Sequence, residues 1–134
     1  EIAAITAMKH AGQPVVTAST DSVDFLRPIT TGDILSYEAM VSYAGTSSME
    51  ICVQIIIEDV LNKERHLAAL SFLTFVALDE NGKPTRIPKV YPETKIEKWF
   101  YEGAPKRVQR RKERREDSKR TIEFLSEVQH IENI

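Results

Sequence analysis

The chain has 134 residues, 42% of them hydrophobic and 28% charged, with a net charge of −2 at neutral pH. That length fits one domain with room for an appendage, and the apolar content supports a buried core, which excludes a chain disordered by composition. A single cysteine, Cys52, excludes an intrachain disulfide and suggests no metal cluster; no stretch reaches the roughly 18 apolar residues of a membrane span.

The opening run EIAAITAMKH is apolar nearly all round, at Ile2, Ala3, Ala4, Ile5, Ala7 and Met8. It predicts the C-terminal part of a buried helix over 1–10, whose alanines let other backbone approach closely. Lys9 and His10 suit the last turn, where the helix dipole favours positive charge. Gly12 and Pro14 end it.

Four strand-like segments follow. Residues 15–25 are rich in Val, Thr and Ser. In 33–44, alternation puts Leu35, Tyr37, Ala39, Val41 and Tyr43 on one face. In 47–60, Met49, Ile51, Val53, Ile55 and Ile57 share a face opposite Glu50, Cys52, Gln54, Ile56 and Glu58. Residues 66–78 are apolar on both faces, as a central strand is. The links RPITTGD, AGT and LNKER are short and favour antiparallel neighbours. A long, twisted antiparallel sheet curled around one helix is expected, an α+β architecture.

DENGKP at 79–84 is a turn, after which the character changes. Helices are expected over 93–104 and 106–132, separated near Gly103 and Pro105. Residues 106–120 hold nine Lys/Arg and three acids, which leaves −8 on the remainder. Pairs such as Arg110–Glu113 and Lys112–Glu116 fit a solvated helix, and with no helix-turn-helix pattern they weigh against nucleic-acid binding. Ile122, Leu125, Val128 and Ile131, with Phe124 beside them, form an amphipathic stripe suited to packing or assembly.

Individual residues carry little chemistry on their own. Cys52 reads as a small buried hydrophobe. His10 reads as a dipole partner or turn residue, and His66 as a surface residue at a strand start. Phe25, Phe72 and Phe75 read as core. No Ser-His-Asp set is inferable.

The order of an Ala-rich helix, SVDFLRPITTGD (22–33), GTSSME (45–50) and LTFVALDENGKP (73–84) resembles the hotdog-fold acyl-CoA thioesterases of the bacterial acyl-CoA hydrolase type. The resemblance covers residues 1 to about 92; the segment from YPETKIEKWFYE onward is similar to tails of Gram-positive members. It implies a hotdog domain over 1–92, with its N-terminal strand and helix start lying upstream, and a helical extension over 93–134. It also implies a cytoplasmic homo-oligomer, dimeric at minimum and often a trimer of dimers. The acyl-CoA substrate lies along the dimer interface and is hydrolysed to free fatty acid and CoA, with no metal or redox cofactor.

In that family the helix carries an Asp-Glu pair, whose Glu matches Glu1. The catalytic Asp is therefore expected immediately before Glu1, with a glycine-rich helix start and an Asn further upstream. Glu1 itself is turned about 100° away from that Asp and is expected to be structural. The anionic phosphates of CoA call for cations and hydroxyl donors. Arg27, at a strand end before Pro28, and the hydroxyls of Thr46, Ser47 and Ser48 are the candidates for contact with substrate. Asp24 joins them as a loop brace beside Arg27, and Lys63 and Arg65 read as a solvated loop. Two other readings stand beside hydrolysis: a hotdog hydratase, whose Asp/His pair is not seen, and a non-catalytic acyl-CoA-binding sensor module.

Overall fold

A computed structural model describes residues 1–130, apart from the side chain of Ser22; Ile131, the last member of the expected stripe, lies outside the described residues. The elements in chain order are α1 (Ile2–Ala11), β1 (Val15–Phe25), β2 (Ile34–Ala44), β3 (Ser48–Asp59), β4 (Glu64–Ala77) and α2 (Lys95–Gln129). The chain divides into two compact units, Glu1–Tyr101 and the residues from Glu102 onward. The division falls inside α2, downstream of the 92/93 boundary expected from sequence.

The first unit holds α1 and one antiparallel sheet of order β1-β4-β3-β2. Helix α1 touches all four strands. Its buried face is Ala3, Ala7 and Ala11, packed with Met49, Ile51, Val53, Phe75, Ala77 and Ile87. Three alanines one turn apart leave no side chain to hold the helix away, so its backbone lies close on the strands. Gly12 ends α1 in the left-handed conformation (φ 67°), and its N–H bonds the Met8 carbonyl at 2.8 Å.

Two sequence expectations need correction here. First, β1 and β2 are not neighbours despite their short link; they form opposite edges of the sheet. Strand β4, apolar on both faces, takes the central place and pairs with both β1 and β3. Three strand spacings are about 14 Å, which the link crosses with ease. Second, Tyr43 does not share the face of Val41. The register slips between them, so Val41 opposes Ile51 while Tyr43 opposes Glu50. The extra residue, Ser42, is buried, and its hydroxyl donates to a Glu50 carboxylate oxygen at 2.7 Å. This bulge sends Tyr43 to the sheet face that α1 does not cover.

That outer face meets the start of α2. The rings of Phe72 and Phe100 lie 5.8 Å apart edge to face, and those of Tyr43 and Tyr101 lie 5.5 Å apart. Cys52 is fully buried, as expected. Phe75 is core, but Phe25 is 69% exposed, because it ends an edge strand with no neighbour beyond it. Helix α2 starts in a reciprocal capping box: the Glu97 N–H donates to the Thr94 hydroxyl and the Thr94 N–H to the Glu97 carboxylate, both at 3.1 Å. The Thr94 hydroxyl, and then the Thr94 N–H, hold the Glu97 carboxyl below its usual range.

The helix then runs unbroken through Gly103 and Pro105, where the sequence predicted a separation. Pro105 offers no N–H to the Tyr101 carbonyl four residues back. The strong helix formers on either side carry the turn across that lost bond.

At the other end of the outer face, Arg65 is not solvated alone. It donates to Glu38 at 2.6 Å and to Glu58 at 3.1 Å, and Ser36 donates to Glu58 at 2.8 Å. The Ser36 hydroxyl, with Arg65 behind it, holds the Glu58 carboxyl below its usual range.

Two measurements check this packing. Ala7→Leu forces three more heavy atoms into a fully covered site, and should lower unfolding stability by about 1–3 kcal/mol in a urea melt; an unchanged midpoint would contradict the close approach of α1. Glu58 has a folded pKa below its unfolded one, so its stabilisation is complete at neutral pH and is lost as pH falls below about 4. Glu58→Gln should therefore lower Tm at pH 7, with the difference from wild type shrinking as acid protonates the folded carboxylate. A difference that stays constant from neutral pH into acid would mean the carboxylate charge is not involved.

Candidate functional site

Beyond Ala77 the chain makes a tight turn whose Asp79 side chain accepts the N–H groups of Asn81 and Lys83. Residues 84–90 then run back across the end of the sheet as a strap. The strap is pinned at alternate residues: the Thr85 N–H donates to the Ala77 carbonyl and the Ile87 N–H to the Thr46 carbonyl, each at 2.9 Å. The Ile87 side chain enters the core beside the α1 alanines. Alternation leaves Arg86 outward, and Lys89 is also exposed. Neither cation has an ion-pair partner among the described residues.

Between this strap and the β2–β3 turn lies an open cleft of about 650 Å³. Its walls are Tyr43 and Tyr101 on one side, Gly45 and Thr46 at the turn, and Arg86 and Lys89 on the strap. The chemistry is specific in kind: two cations with no carboxylate between them, two tilted phenol rings and a hydroxyl. Such a cleft suits an aromatic base that carries phosphates.

The residues expected from sequence divide between two places. Thr46 lines the cleft. Ser47 and Ser48 sit beside it and shape the turn through their carbonyls, which accept from the Ala77 N–H at 3.0 Å and the Gly45 N–H at 2.8 Å. Asp24 and Arg27 are exposed at the far end of β1. Val15, Ala77 and Ser48 mark the cleft end of the sheet, so the length of β1, 11 residues from Val15 to Phe25, separates the two groups by about 30 Å. One protomer does not bring them together. Asp33 accepts from the Thr30 N–H at 2.8 Å and so pairs with its own loop, not with Arg27.

Sequence reading passed over Arg86, Lys89, Tyr43 and Tyr101. The signal for the first pair was present in TRIPKV: an apolar residue and a proline flanked by two cations after a turn. The aromatic pair depends on the bulge and on α2 covering the outer face, which no local pattern reveals. His10, read as a turn residue, instead reaches the Pro88 carbonyl at 2.8 Å. His66 lies half-buried near the start of β4, with Nε2 3.2 Å from the Glu64 carboxylate. Among the described residues no group of three or more His, Cys, Asp or Glu side chains is placed to hold a metal ion, and no helix is long and apolar enough to cross a membrane.

Comparison with known proteins follows the same line. The sequence profile of the thioesterase superfamily matches residues 1–62. An acyl-CoA thioester hydrolase of Bacillus subtilis, itself uncharacterised, is 50% identical over 118 residues, which cover 88% of this chain and 69% of that protein. The rat cytosolic acyl coenzyme A thioester hydrolase is 33% identical over 87% of this chain and 31% of its own length. Among solved structures, an acyl-CoA hydrolase of Staphylococcus aureus in complex with butyryl-CoA and CoA superposes with a TM-score of 0.90 at 72% identity, covering 93% of this chain and 76% of that one. A hexameric acyl-CoA thioesterase superposes with a TM-score of 0.79 at 52% identity, covering 84% of this chain and 72% of that one.

Proposed function

The chain belongs to the acyl-CoA thioester hydrolases of the thioesterase superfamily, and on that premise we propose that it adds water across the thioester of a fatty acyl-CoA, releasing the free acid and CoA. The observation that carries the substrate assignment is the cleft. Arg86 and Lys89 have no anionic partner among the described residues, and Tyr43 and Tyr101 stand beside them. We place the phosphorylated nucleotide end of CoA there, with Thr46 as a hydroxyl donor. Water is the co-substrate, and the proposal includes no resident metal or redox group.

The reacting end of the substrate is assigned to the start of α1. A helix N-terminus offers free N–H groups and the positive end of a dipole, which stabilise the oxyanion of a tetrahedral intermediate. A carboxylate next to it acts as general base or as nucleophile. We assign that role to an Asp immediately before Glu1 and leave Glu1 as the exposed N-cap residue.

A second copy completes the arrangement. Strand β1 is an open edge of 11 residues, with Val16, Val23 and Phe25 exposed and no Lys, Arg or Pro to blunt it. Antiparallel pairing along this edge carries the partner's Asp24 and Arg27 back toward the Thr46 end of the first protomer. This resolves the 30 Å separation within one chain. We assign the apolar stripe Ile122, Leu125 and Val128, all exposed, to the step from dimer to higher assembly. The buried lone thiol of Cys52 fits the reducing cytoplasm.

Turnover of a fatty acyl-CoA by the full-length protein, followed through the free thiol released, tests the activity; binding without turnover would favour the sensor reading instead. Glu1→Gln should keep kcat within about threefold, since a true general base or acid contributes about 100-fold or more. A 100-fold loss would make Glu1 the catalytic carboxylate. In light scattering, Val16→Lys with Val23→Lys should give monomers without activity, while Leu125→Asp should stop assembly at an active dimer. Unchanged mass in both variants would overturn the assembly account.

A further inference from the structure

His10 is the side chain of α1 that reaches the strap. Its Nε2 lies 2.8 Å from the Pro88 carbonyl oxygen, which has only lone pairs to offer, so Nε2 is the donor. The position of this bond gives it weight. The strap is held by backbone bonds at Thr85 and Ile87. Pro88 has no N–H, and Lys89 and Val90 make no backbone hydrogen bond among the described residues. After Ile87, apart from Pro88 itself, the next hydrogen-bonded residues are Glu93 and Thr94 at the start of α2. Between those points the His10–Pro88 bond alone fixes the chain among the described residues. Arg86 and Lys89 stand on either side of the pinned pair, and both line the cleft. Two like charges on one short strap repel each other, so a loosened strap would let them swing apart into solvent.

We propose that His10 is a positioning residue for substrate. By anchoring Pro88, it sets the guanidinium of Arg86 and the ammonium of Lys89 at the spacing that grips the phosphates of CoA. It thereby ties the nucleotide end of the site to the same helix whose opposite end faces the thioester. His10 touches neither the reacting atoms nor the phosphates, and both its neutral Nε2–H form and its cation keep the bond. The inference rests on the cleft being the nucleotide site, and its test separates the two.

The experiment compares steady-state kinetics of the full-length enzyme on an acyl-CoA and on the matching acyl-pantetheine, which lacks the nucleotide and its phosphates. His10→Phe keeps a ring but loses the donor. It should raise KM for acyl-CoA about tenfold, the order of one charge-assisted contact, with kcat unchanged. It should leave both constants for acyl-pantetheine unchanged. His10→Gln, whose amide N–H reaches a similar distance, should restore KM to within about twofold of wild type. Arg86→Ala and Lys89→Ala should raise KM for acyl-CoA in the same selective way.

Four outcomes would overturn the proposal. If His10→Phe raises KM equally for both substrates, or lowers kcat, then His10 acts through α1 or the fold. If His10→Gln behaves as His10→Phe, then the hydrogen bond is not the cause. If Arg86→Ala and Lys89→Ala show the selective effect and His10→Phe does not, the cleft assignment stands and the role of His10 fails. If neither cation variant affects acyl-CoA, the nucleotide lies elsewhere, and the cleft assignment falls together with the role of His10.

Discussion

The contact between the alanine face of α1 and the sheet is the constraint on which the rest of the molecule depends. Ala3, Ala7 and Ala11 are almost wholly buried, and their short side chains let the helix lie directly on Met49, Ile51, Val53 and Phe75. A larger residue at any of the three would lift the helix and open a gap that no neighbour fills. Helix α1 reaches all four strands, so its position is tied to every part of the sheet. Both ends of the helix then have defined surroundings. The start faces the region assigned to the thioester, and the end delivers His10 and the Gly12 turn to the strap.

The second constraint is the polar outer face. A sheet packed on one side by a helix ordinarily turns its other face to water. Here the start of α2 covers part of it, through Phe100 on Phe72 and Tyr101 on Tyr43. The bulge at Ser42 makes this possible by rotating Tyr43 outward, and the Ser42 hydroxyl bonds the buried Glu50 carboxylate at the same point. One inserted residue thus joins a buried polar group to a wall of the cleft. Glu58, Glu38 and Arg65 keep the remaining end of that face charged.

Much of this was legible in the sequence because it is periodic. The alanine run, the Gly12 stop and the alternation of β3 are local patterns, and α1 and the four strands each lie within about two residues of their expected positions. The family resemblance rested on segments whose order the chain itself displays, and the comparisons place the chain in that family. What could not be read is long-range or aperiodic. The placing of β1 against β4 is decided by which strand is apolar on both faces, not by link length. The bulge at 41–43 breaks the very alternation used to assign faces. The Thr94–Glu97 capping box was present as a pattern and passed unnoticed, while Pro105 was given more weight than a long helix allows it. The cleft joins residues 43–46, 86–90 and 101, and His10 meets Pro88 across 78 positions, so neither leaves a trace in any short window.

On the proposed reading, the site as a whole follows from one helix held tightly in place, with the reacting end of the substrate assigned to its start and the phosphates assigned to the strap beyond its end. A crystal structure of the full-length protein with a non-hydrolysable acyl-CoA thioether tests this most directly. The account predicts the CoA phosphates within hydrogen-bond distance of Arg86 and Lys89, the adenine against Tyr43 or Tyr101, and the thioether sulfur near the N-terminal end of α1. A ligand whose phosphates lie away from the strap, with the cleft filled by solvent, would contradict it.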